Sequence, residues 1–131
     1  MMVKRGAVKR ILVVEDDPNL RVVIRMVLER AGYEVSEARH GEEALESIGV
    51  GAPDLIIADL RMPVMGGVEL VDRIRSNPTT VSIPVVMLSG LQVESATSQR
   101  ADAVVIKPFE PAHLLASIDR ALHPDRGERV T

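Results

Sequence analysis

The sequence predicts an α/β fold: a doubly wound, five-stranded parallel sheet with helices on both faces. Three observations predict it. Short apolar runs alternate with amphipathic stretches five times along the chain, the pattern of strand followed by helix. The runs Ile11-Leu12-Val13-Val14 and Leu55-Ile56-Ile57-Ala58 have no polar side at all, as strands buried on both faces require. Four of the runs end in side chains with chemical use: Glu15 and Asp16, then Asp59, Ser89 and Lys107.

The elements follow in order. After Val14, the stretch Glu15-Asp16-Asp17-Pro18-Asn19 is polar and turn-like. Leu20, Val23, Ile24, Val27 and Leu28 recur at helical spacing, and Gly32 supplies the stop. Tyr33 to Ala38 alternates loosely and reads as the second strand. Gly41 to Ile48 reads as a short helix with Ala44, Leu45 and Ile48 inward, broken by Gly49, Gly51 and Pro53. Leu55 to Ala58 is the third strand. Asp59 and the loop from Arg61 to Gly67 come next, with Gly66-Gly67 read as a turn. Val68 to Arg75 is a helix with Leu70, Val71 and Ile74 as its inner side. Pro84 to Leu88 is the fourth strand and ends at Ser89-Gly90. Ala103 to Ile106 is the fifth and ends at Lys107-Pro108, an X-Pro bond open to the cis form. Pro111 suits the first turn of a last helix, striped by Leu114, Leu115, Ile118 and Leu122. Right-handed crossovers leave few topologies for such a chain, and the flavodoxin-like order 2-1-3-4-5 is the established solution.

Composition narrows the function. The 131 residues suit one domain with a core of its own. The reading is a basic segment at 1–10, a domain at 11–122, and a polar tail at 123–131 that is either a linker stub or a natural end. The chain has no cysteine, which excludes disulfide and thiol chemistry. No run approaches the length of a membrane span, and no apolar core behind the first ten residues makes a signal peptide. The expectation is a cytoplasmic protein. Net charge is −3, which argues against a broad nucleic-acid surface. The cluster Lys4, Arg5, Lys9, Arg10 reads as a solvated segment. Tyr33 and Phe109 are the only aromatic residues, too few for a base-stacking platform.

The strand ends carry the chemistry. In a parallel sheet they share one edge, and ligands bind there where the strand order reverses. That point lies between the first and third strands, where Glu15, Asp16 and Asp59 would meet. One acid at a strand end is ordinarily a solvated loop residue. Three that converge repel one another unless a cation neutralises them. Magnesium, which takes one or two carboxylates plus water and phosphate oxygens, is the expected ion. Asp59 is the expected nucleophile, since a carboxylate can attack phosphorus and form an acyl phosphate. Lys107 would stabilise charge on the transferred group, and Ser89 would hydrogen-bond one of its oxygens. Lys107 is the only lysine outside the first ten residues, which favours a site role over a surface one. Asp54 is a useful control. It begins the strand that Asp59 ends, roughly 17 Å away at ~3.3 Å per residue, and cannot share the site. Asp72 reads as a solvated helix residue. The histidines at 40, 113 and 123 lack metal-ligand spacing and read as surface residues.

The segments ILVVEDD, DLIIADLRMPVMGG, VVMLSG and VIKPFEP, in that order, resemble the receiver domain of two-component signalling. The resemblance covers Ile11 to Leu122. It implies Asp59 as phosphoacceptor, Asp16 as direct metal ligand, and Glu15 as the acid that holds metal-bound water. It adds the backbone carbonyl of Arg61 to the metal shell and leaves Asp17 peripheral. Ser89 resembles the switch hydroxyl and Lys107 the phosphate-binding lysine. The implied donor is a histidine kinase or phosphotransfer protein, or a small donor such as acetyl phosphate. The implied protein is a switch and not an enzyme with a separate substrate. Its output partner is unknown, and homodimerisation is left open. Arg61 and Leu91 hold positions that tune phosphoryl lifetime in the family. Two departures stand out. Val104 replaces the aromatic residue often found three positions before the lysine. The stretch Leu91 to Arg100 is short by about a helical turn and rich in Ser, Thr and Gln, a poor helix. Arg100-Ala101 stands where the family usually has Gly-Ala. Two alternatives compete with the switch. One is an interaction module that is never phosphorylated. The other is a hydrolase that forms an aspartyl phosphate, disfavoured because Arg61 stands where such enzymes carry a second aspartate.

Overall fold

Successive side chains on a strand point to opposite faces, so a fully apolar strand feeds two cores at once. The computed structural model describes residues 8–62, 64–90 and 101–124. In them the chain runs β1 (Arg10–Val14), α1 (Pro18–Arg30), β2 (Glu34–Ala38), α2 (Gly41–Val50), β3 (Leu55–Asp59), α3 (Gly67–Arg75), β4 (Val85–Ser89), β5 (Ala103–Ile106) and α4 (Pro111–Leu122). All strand pairs are parallel and the order is β2-β1-β3-β4-β5, as the sequence pattern predicts.

The alternation sorts the core into two layers. Leu12, Val14, Ile56, Ala58, Val85 and Met87 face α2 and α3. Ile11, Val13, Leu55, Ile57, Val86 and Leu88 face α1 and α4. Leu70, Val71 and Ile74 of α3 and Leu114 and Ile118 of α4 are buried as expected. On α1 the buried stripe is narrower than the periodicity suggests. Ile24 and Leu28 are buried, whereas Val23 is 50% exposed beside Val22 and Met26. The reason is geometric: a helix lying on a sheet buries only its i, i+4 ridge.

Local chemistry ends the helices. Asp17 caps α1 by accepting from the Asn19 amide at 2.9 Å, and Pro18 follows in the first turn. Gly32 takes φ 99°, the left-handed turn that stops α1. His40, read from sequence as a surface residue, caps α2 through Nδ1, which accepts from the Glu43 amide at 3.2 Å. Asp54 lies just before β3, at the far end from Asp59, and accepts from the Arg10 amide at 2.7 Å. The Lys107–Pro108 bond is cis. The expectations for Leu91 to Arg100, for residues 1–7 and for most of the polar tail lie outside the described residues.

At the opposite edge from the strand ends, Arg75 fastens three segments. Its guanidinium donates to the carbonyls of Val81 at 3.0 Å and Ile83 at 2.8 Å, and to Asp102 Oδ2 at 2.9 Å. Asp102 also accepts from the Val85 amide at 2.7 Å. Loss of one partner leaves half-buried acceptors unpaired, at about 1–3 kcal/mol. Arg75→Ala should therefore lower stability by about that amount in urea unfolding, with the slope unchanged.

Candidate functional site

The sheet register brings the predicted residues to one edge. Val14 pairs with Ala58, so Glu15 and Asp59 leave the two central strands side by side. Ser89 pairs with Ile106, so Lys107 leaves β5 beside the end of β4. Backbone bonds hold these ends in place. The amide of Glu15 donates to Ala38 O at 3.0 Å, that of Leu60 to Leu88 O at 2.8 Å, and that of Lys107 to Ser89 O at 2.7 Å.

The side chains converge. Glu15, Asp16 and Asp59 each offer a carboxylate oxygen, all within 4.8 Å of one another. Glu15 and Asp59 are 1% and 5% exposed, while Asp16 is open to solvent. Lys107 Nζ stands 3.0 Å from Asp59 Oδ2, and the Arg61 amide donates to Asp59 Oδ1 at 3.3 Å. Ser89 is buried at the end of the neighbouring strand. The Arg61 side chain is exposed and its backbone faces Asp59. Asp17 stands outside the cluster, occupied with capping α1. Val104 is half-buried and packs on the same core layer as Leu60 and Met62.

The electrostatics suit a cation. Glu15 Oε2 accepts from the Asp17 amide at 3.1 Å, while Oε1 is buried with no partner among the described residues. Burial pushes the Glu15 carboxyl up to about 8. The Asp17 amide pulls it down, Asp59 raises it further, and Lys107 offsets part of this. A buried oxygen without a partner, beside two more carboxylates, is what a hard divalent ion relieves. The donor set is all oxygen, which suits magnesium.

One residue at the site was read from sequence only as a turn. Gly67 opens α3 directly against the phosphoacceptor's backbone. A Cβ there would lie 2.5 Å from Asp59 O, 2.8 Å from Met87 Sδ and 3.0 Å from Leu60 Cα. The signal available was a glycine inside a helix start, where it costs about 1 kcal/mol against alanine and therefore needs a packing reason.

The response regulator receiver domain family matches residues 11–119. The phosphate regulon transcriptional regulatory protein PhoB of Pseudomonas aeruginosa is 37% identical over 118 residues, 87% of this chain. The match spans 52% of that regulator, so the chain has about half the length of such relatives. A CheY-like receiver domain protein from Methanospirillum hungatei superposes with a TM-score of 0.83 at 31% identity, covering 93% of this chain and 99% of the other. The receiver domain of sensor histidine kinase PA1611 from Pseudomonas aeruginosa has a magnesium ion coordinated in its active-site cleft. It superposes at 0.81 with 30% identity, over 88% of this chain and 98% of the other. The chain belongs to the response regulator receiver domain family of two-component signalling. As such it is a signalling module and not an ordinary enzyme. Among the described residues no helix is long and apolar enough to cross a membrane.

Two outcomes follow from the site. Gly67→Ala should destabilise the fold by about 1–3 kcal/mol, because the clash is with backbone that cannot rotate away. Chemical denaturation measures it, and a wild-type midpoint would refute the close-packing role. The second concerns pH in the absence of metal. Folded Glu15 keeps its proton to about 8, whereas its ordinary value is 4.5. Its contribution to stability is therefore full at low pH and is lost as pH rises across that interval. With a chelator present, the melting temperature should fall over that range, and Glu15→Gln should flatten the fall.

Proposed function

We propose that this chain is a magnesium-dependent phosphorylation switch with Asp59 as phosphoacceptor. The observation that carries the reading is the buried Asp59 carboxylate, 3.0 Å from Lys107 and within 4.8 Å of Glu15 and Asp16. An oxygen of Asp59 attacks the phosphorus of a phosphohistidine on a histidine kinase or phosphotransfer protein. The P–N bond breaks, its electron pair returns to the imidazole, and an acyl phosphate forms on Asp59. Asp16, Asp59 and the Arg61 carbonyl would hold magnesium directly, and Glu15 through water. The ion, when bound, neutralises charge on the phosphoryl oxygens. Lys107 has three donors on a flexible stem and can keep Asp59 while reaching a phosphoryl oxygen. Ser89 supplies a hydroxyl to another. The receiver unit at 11–122 then presents a changed surface to an output partner. The reading places the receiver unit in the cytoplasm, with no direct contact of its own to nucleic acid or membrane.

Acetyl phosphate and magnesium with the intact protein, followed by mass spectrometry, test this directly. One phosphoryl adduct should form on the wild type and none on Asp59→Asn or with a chelator. Lys107→Ala should slow its formation on the order of 100-fold. Neither adduct nor released phosphate at any time would overturn the reading and favour a module that works unphosphorylated.

A further inference from the structure

The carboxylate cluster has a mechanical problem. Asp16, its exposed member, lies on the bend between β1 and α1. Its Cα is placed by the peptide unit that joins it to Glu15. That unit is planar, so the Glu15 carbonyl and the Asp16 amide and Cα turn together. The carbonyl is tied down. Arg21 Nη1 donates to Glu15 O at 2.7 Å, while Arg21 Nε donates to Glu37 Oε1 at 2.8 Å. Arg25 holds the other carboxylate oxygen of Glu37. The Glu15 amide is tied to the same strand, through Ala38 O at 3.0 Å. Both backbone groups of Glu15 are thus fastened to β2, one directly and one through Arg21. The Arg21 side chain is only 15% exposed, and its planar fork meets both acceptors at once. Its charge is matched by Glu37, so its effect on the cluster is chiefly geometric.

We propose that Arg21 is a positioning residue for the metal site, locking the Glu15–Asp16 peptide plane onto β2 so that Asp16 stays aimed at Asp59. The inference rests on the magnesium reading above. Magnesium binding to the whole chain, measured by isothermal titration calorimetry, tests it. Arg21→Ala should raise the magnesium Kd on the order of 10-fold, as loss of an outer-shell partner does. The phosphorylation rate from acetyl phosphate should return close to wild type at saturating magnesium. Arg21→Lys, whose ammonium lacks the fork, should recover part of the affinity. Arg75→Ala supplies the control, since it weakens the fold at the far edge and should leave the Kd unchanged. Glu37→Gln loosens the anchor while keeping the arginine, and should raise the Kd in the same direction by less. A wild-type Kd in Arg21→Ala, or in Glu37→Gln should the alanine variant not fold, would overturn this inference alone. A wild type that binds no magnesium would overturn the magnesium reading and this inference with it.

Discussion

Two buried carboxylates, Glu15 and Asp59, stand with a third, Asp16, so that oxygens of all three lie within 4.8 Å. This arrangement is unfavourable taken alone, and the rest of the structure is organised to hold it. Burial keeps a proton on Glu15 in the absence of a cation, and Lys107 balances one charge of the group. The site is therefore poised. The sheet supplies rigidity from below, and a divalent ion and a phosphoryl group would supply the remaining balance of charge.

The rigidity has identifiable sources. β1 and β3 are apolar on both faces, so neither strand can slip by one residue without sending its core side chains to the wrong layer. That fixes Glu15 beside Asp59. The close seat of Gly67 on the Asp59 carbonyl fixes the start of α3, and the backbone bonds from Leu60 and Lys107 stitch β3, β4 and β5 at the same edge. Much of the site's precision thus comes from backbone packing.

Val104 fills its place on β5 as a small apolar residue packed on the layer of Leu60 and Met62. A valine has one stiff χ1 and no ring to rotate, so it cannot act as a rotating aromatic switch. A change at Asp59 would have to reach the surface without such a ring.

The crossover rule and the established topology of such folds supplied the strand order; the sequence by itself determined the five strands, the two-sided core and the polar residues at the strand ends. Those follow from apolar runs and from polar residues at their ends, and both are local patterns. The narrower buried stripe of α1 was not legible, because which ridge of a helix meets the sheet depends on the packing angle. The capping role of Asp17 was hidden behind its acidic neighbours, since one carboxylate looks like another until the helix start is placed. Gly67 and Arg21 were decided only by tertiary structure. One matters through a contact with the backbone at the end of β3, the other through a carbonyl six residues back and a carboxylate on β2. Contacts between residues brought together by the sheet leave no period in the sequence, so only the folded chain reveals them.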